Sequence, residues 1–143
     1  MKSKEELKIT KEWLWRYRRI YWKVEREEEE YQRIREELSG VRALLYDDMP
    51  SGSGTLGDLS DSMVRLEKQM NVLDAAVAEL YEIASDVVGA IYILPEDVQQ
   101  VMFKRYMEFE GWQQIAAECG LSLRSVHNKH REGLELVGIK RGA

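Results

Sequence analysis

Leu123, Arg124, Ser125, His127, Asn128 and Arg131 fall on one side of a short stretch that reads as a helix. The set is polar and mostly basic or amide-bearing, which suits phosphate oxygens and the edges of bases. No nucleophile–base set, phosphate-cradling loop or pair of acids accompanies it. The chemistry expected here is recognition, with no catalytic residue and no cofactor.

Two helices and a turn must position that side. Ile115, Ala116 and Cys119 share one face of a first helix, and the small Ala116 lets a second helix cross closely. Gly120 follows, where a left-handed backbone is cheap for glycine alone. Leu121 is placed to tuck between the helices, and Ser122 is a good N-cap. Val126, Leu134 and Val137 then form an inward stripe opposite the polar set. This is the layout by which a protein places one helix in the major groove of DNA, here the helix over residues 122–137.

His127 and His130, at i and i+3, invite a metal reading. No cysteine or second histidine pair joins them, and Glu132 is poorly placed as a third ligand, so no metal site is assigned. The single cysteine, Cys119, excludes an internal disulfide and fits a reducing cytoplasm, where it reads as a small core residue. The longest apolar run, Val87 to Leu94, is far short of a membrane span, and Met1–Glu6 has no apolar signal region.

The net charge of −5 argues at first against nucleic acid, but the acidity is local. Residues 47–94 hold 2 basic and 9 acidic side chains, whereas residues 120–143 hold 5 and 2. Positive charge gathers on the recognition helix and the tail. DNA affinity per subunit should be modest and sensitive to salt.

Upstream, two stretches carry a four–three rhythm. The first runs through Trp13, Tyr17, Ile20, Val24, Glu27, Tyr31, Ile34, Leu38, Val41 and Leu45, broken only by Glu27. The second runs through Leu59, Met63, Leu66, Met70, Leu73, Val77, Leu80, Ala84, Val87, Ile91 and Leu94 without a polar interruption. Such spacing predicts coiled-coil packing. Residues 47–58, rich in Gly, Ser and Asp, form a loop between two helices of nearly equal length, which favours an antiparallel hairpin. Ser39-Gly40 reads as a soft point and not an end. The first helix is broad on its apolar side near its start, where Trp13, Leu14, Trp15, Tyr17, Ile20, Tyr21, Trp22 and Val24 cannot all be buried by one partner helix. Either the C-terminal domain or a second subunit covers that side.

Leu94-Pro95-Glu96-Asp97 starts another helix, expected to reach about Phe109, with Val98, Val101, Met102, Arg105 and Tyr106 toward a core. The fold expected is therefore all-α: a long antiparallel helical hairpin over residues 1–94, a coiled-coil stalk, followed by a small three-helix domain over residues 95–143.

The order Leu94-Pro95, Arg105-Tyr106, Gly111-Trp112-Gln113-Gln114-Ile115-Ala116, Gly120-Leu121-Ser122, Val126 and Leu134 resembles the promoter-reading C-terminal domain of bacterial sigma factors. With its long helical N-terminal part, the chain resembles the small late-gene transcriptional regulators of phages and prophages that carry such a domain. The specific match covers about residues 94–137. The resemblance implies that Arg124 and Asn128 contact bases, as arginine does at guanine and asparagine at adenine. Leu123 falls at a further base-facing position, where it could only touch a thymine methyl. Ser122, Ser125, His127, Arg131 and Gln113 are implied as phosphate contacts. His130 matches a histidine of the phage family and is expected to pack at the domain edge. Lys129 stands where such domains carry an aliphatic residue.

These readings predict a cytoplasmic, sequence-specific regulator, with double-stranded DNA as partner and host RNA polymerase as a further one. It would act as a homodimer or higher homo-oligomer and would not contact a membrane. The alternative is the DNA-recognition subunit of a phage packaging terminase, which would form a ring of roughly eight or more subunits. A third reading, a protein–protein adaptor, fits less well because the outer face carries Arg124, Asn128 and Arg131 in place of an apolar anchor.

Overall fold

A computed structural model describes residues 3–46 and 56–140, and within them every regular element is an α-helix. In chain order these are α1 (Lys4–Leu14), α2 (Arg16–Tyr46), α3 (Leu56–Tyr92), α4 (Glu96–Tyr106), α5 (Trp112–Cys119) and α6 (Leu123–Lys140). The protein is all-α, as the periodicities predict. None of the described helices is long and apolar enough to cross a membrane.

Packing divides the chain into two units, residues 21–79 and a second made of residues 1–20 with 80–143. The boundaries fall inside α2 and α3, and the first twenty residues join the C-terminal helices. The pattern of residues alone suggests a division near residue 94 instead.

In the unit of residues 21–79, α2 and α3 run antiparallel. The Gln69 amide donates to the Glu27 carbonyl (3.0 Å) and carboxylate (2.6 Å), and Arg65 pairs with Glu37 at 2.8 Å, so partners descend in α2 as they ascend in α3. Glu27, the one polar break in the first heptad seam, thus meets a polar residue across the hairpin. A matched polar pair in an apolar seam fixes register, since a slip would strand both groups.

The second seam departs from the one expected at Met63 and Met70, while its other positions are half-buried or buried. Ser62 and Ala76 are buried on α3, while Met63 and Met70 are 49% and 44% exposed. The contact stripe passes through Ser62, Gln69 and Ala76, each one residue ahead of an expected apolar position. Small side chains at 62 and 76 admit the neighbouring helix closely, and Gln69 serves Glu27. Counting apolar residues alone selects the larger neighbours. Gly40 does not interrupt α2. Residues 47–55 of the expected loop lie outside the described residues, and its last three, Leu56, Gly57 and Asp58, are helical.

The second unit is built on α1. Ser3 caps this helix reciprocally: its hydroxyl accepts from the Glu6 N–H, and the Glu6 carboxylate accepts from the Ser3 N–H. The helix ends at Leu14, and the next begins at Arg16. Leu14 is fully buried with Val87 and Ile91 of α3, Leu94 just beyond it, Val98, Met102 and Tyr106 of α4, and Leu134 and Val137 of α6. Trp13, Trp15 and Tyr17 pack around this core. For these residues the partner is the C-terminal helices of the same chain. Three helices over residues 95–138 have too little apolar surface for a secure core alone, and the N-terminal segment supplies more.

Helix α4 ends at Tyr106, three residues before the end expected from the sequence. Phe109 adopts a positive φ of 61°, and the Glu110 N–H reaches back to the Lys104 carbonyl at 3.0 Å. A left-handed aromatic residue carries strain, and the Phe109 ring is held against Tyr17, with 5.7 Å between centroids.

Candidate nucleic-acid interface

The turn between α5 and α6 forms as its residues require. Gly120 is left-handed, with φ 65° and ψ 36°. The Leu121 N–H donates to the Ala116 carbonyl (2.9 Å) and the Gly120 N–H to Ala117 (3.4 Å), which closes the end of α5. Ser122 then caps α6: its Oγ accepts from the Ser125 N–H at 3.1 Å and donates to the Ser125 hydroxyl at 3.1 Å. Ile115, Ala116 and Val126 are buried with Val101 of α4, and Trp112, Cys119 and Leu121 pack around them. The crossing of two short helices is therefore fixed by a glycine, a serine and a core of few residues.

Helix α6 is thereby fixed by one face and open on the other. Val126, His130, Leu134 and Val137 are buried. Leu123, Arg124, His127, Asn128 and Arg131 are exposed, as is Ser122 before them. Gln113 is exposed in the first turn of α5, and Ser125 is half-buried with its hydroxyl engaged by Ser122. Arg124, Asn128 and Arg131, at i, i+4 and i+7, make one outward stripe. His127 stands slightly apart, its ring 4.7 Å from that of Trp112.

Lys129 ties α6 to α4. Its ammonium lies 2.5 Å from the Asp97 carboxylate, and that hydrogen bond holds Asp97 below the usual carboxylate range. A lysine in place of an aliphatic residue is accommodated as an inter-helix ion pair.

Behind the outward face stands a cluster of rings and cations that the sequence pattern did not disclose. Tyr106 OH lies 2.7 Å from His130 Nε2. His130 also meets the Trp112 ring edge-on at 4.6 Å, and Tyr106 meets Trp15 at 4.5 Å. Arg105 lies over Trp112 (4.2 Å) and Trp15 (5.1 Å), and Arg18 over Trp15 (3.7 Å). Arg105 also donates to the Glu110 carbonyl at 3.0 Å. His130 is buried here, not at an edge. Burial, helped by Lys11, Arg105 and His127, lowers its pKa to about 3, so the imidazole is neutral. Burial raises the Tyr106 phenol above its ordinary range. Nearby, burial and the neighbouring Glu118 carboxylate push Glu110 up to about 7, against the pull of Lys104.

The structure also brings two residues to this region that sequence reasoning missed. Lys4 and Lys11 of α1 line a groove with Asn128 and Arg131 of α6. The signal was present: Ser3 and Glu6 form a capping box, and Leu7, Thr10 and Leu14 recur at helical spacing.

Compared with known proteins, the chain matches no family model, no curated protein and no solved structure.

Proposed function

We propose that the protein is a sequence-specific, double-stranded-DNA-binding transcriptional regulator of the phage or prophage late-gene type, acting in the bacterial cytoplasm without catalysis. Helix α6 enters the major groove. Arg124 and Asn128 read bases, with Leu123 beside them, and Arg131, His127, Ser122, Ser125 and Gln113 serve phosphates. The observation that carries this reading is the outward stripe of Arg124, Asn128 and Arg131 on a helix braced from behind by Val126, His130, Leu134 and Val137. A rigid helix with an amide and two guanidiniums facing water is built to present them to a ligand. Host RNA polymerase is the partner through which a bound regulator of this kind would act.

Self-association is part of the reading. Leu56, Met63 and Met70 recur every seven residues on α3 and stand 76%, 49% and 44% exposed. An apolar heptad row this open to water favours a homo-oligomer. The same row supports the second reading, a terminase recognition subunit, which light scattering separates: a dimer fits the regulator and a ring of eight or more the packaging machine.

The test is selection of bound duplexes from random DNA with the full chain, followed by binding of the selected site. Arg124→Ala and Asn128→Ala should each lose discrimination by about 1–3 kcal/mol at one base position while non-specific binding stays. Wild-type preference in both variants would remove these residues as readers.

A further inference from the structure

We infer that α1 is a second DNA-contacting element, whose Lys4 and Lys11 grip the phosphate backbone beside the groove that α6 enters. The inference rests on the DNA-binding reading above and adds a partner for a helix which that reading leaves idle.

The geometry begins with how α1 is held. Its capping box fixes the first turn, Thr10 and Leu14 are buried and Leu7 half-buried, and the exposed Lys4 and Lys11 flank that stripe on the side that lines the groove with α6. The two lysines are seven residues apart, two turns or about 10 Å along the axis. Between α1 and α6 runs a groove of about 330 Å³, with Leu7 and Leu134 among its walls and Lys4, Lys11, Asn128 and Arg131 around it. No carboxylate lines it, in a chain with 26 acidic side chains and a net charge of −5.

Ion pairs tie down some of the cations in this chain and leave others open. Lys104 bonds to Glu118, Lys129 to Asp97 and Arg65 to Glu37. Among the described residues, Lys4, Lys11 and Arg131 have no ion pair. Three unneutralised cations around one acid-free groove, next to the outward stripe of α6, form a positive strip that complements a strand of phosphates. Two lysines seven residues apart contact successive stretches of backbone without reading sequence, so they set orientation and add affinity. This also supplies charge that α6 alone lacks.

The test measures the salt dependence of binding of the full chain to a mixed-sequence 30-base-pair duplex and to the selected site. Lys4→Gln/Lys11→Gln keeps part of each stem on an exposed face, and circular dichroism checks the fold. The slope of log K against log salt should become shallower by about 1.8, from about 0.9 per lost phosphate contact. Affinity for both duplexes should fall by the same factor, with sequence preference intact. Lys4→Arg/Lys11→Arg should restore the slope, and Lys23→Gln/Lys68→Gln, on the hairpin unit, should leave it unchanged. An unchanged slope in the Lys4/Lys11 glutamine variant, while Arg124→Ala still loses preference, overturns the role of α1 and spares the α6 reading. Absence of duplex binding by the wild-type chain at low salt overturns both.

Discussion

Tyr106 OH and His130 Nε2 lie 2.7 Å apart in the interior of the unit that carries α6, joining α4 to α6 behind the outward stripe. The imidazole is held neutral, with its pKa depressed to about 3. A neutral ring shares a hydrogen bond with the phenol, and protonation would place a cation near Arg105 and Lys11, two of the charges that depress its pKa. The bond therefore makes the bracing of α6 dependent on pH.

Stability from His130 is complete above the ordinary histidine pKa of about 6.5 and falls as pH drops toward 3, by up to about 1.4 kcal/mol per pH unit. Glu110, raised to about 7, acts in the opposite sense over pH 4.5–7, because its protonated form is the one favoured in the fold. Urea unfolding at pH 6.5, 5.8 and 5.2 should show a stability difference between wild type and Tyr106→Phe/His130→Phe that shrinks steadily with acid. Replacing both partners removes the titration without stranding either polar group. Parallel curves would mean that His130 is not held neutral.

Gly133 is the contact point of α6 with α4. A Cβ there would lie 2.6 Å from Met102 Sδ and 2.7 Å from its Cγ, and Met102 is fully buried. Gly133→Ala gains helix propensity of about 1 kcal/mol yet overpacks the crossing by about 1–3 kcal/mol, so a net loss is expected. Adding Met102→Ala should make the alanine at 133 favourable. Thermal melts of the single and double variants give the coupling, and additive effects would contradict a direct clash.

The Glu27–Gln69 pair governs the hairpin register. Gln69→Leu leaves the Glu27 carboxylate and carbonyl without their partner and should cost about 1–3 kcal/mol, whereas Glu27→Leu/Gln69→Leu should recover most of it. The recovered variant should, however, populate more than one oligomeric or register state. Native mass spectrometry and crosslinking between cysteines placed across the hairpin would reveal this, and a single state would show that the apolar positions suffice.

Much of the region around α5 and α6 was legible because each of its signals is local. Gly120, Ser122 and the spacing of Val126, Leu134 and Val137 predict a turn, a cap and a buried stripe, and all three are present. The exposed positions of Arg124, Asn128 and Arg131 follow from the same periodicity. Helix α1 was missed although its capping box is equally local, because the heptad count begins at Trp13 and absorbs the start of the next helix. The rings around Tyr106 and His130 were illegible for another reason. Trp15, Arg18, Arg105 and Trp112 meet through tertiary packing, and no spacing within one helix encodes it. On α3 only part of the seam was misread, because Ser62 and Ala76 are buried for their smallness, which a hydrophobicity count discards.

The pairing of α1 with α6 joins segments more than a hundred residues apart in the chain. Closing so long a span costs chain entropy that its contacts must offset. The unit that presents the outward stripe is thus completed by its most distant contact in sequence. Any opening that parts α1 from α6 bares Leu14, Val137 and their neighbours to water, and such an opened form is the one exposed to proteolysis and to wrong partners.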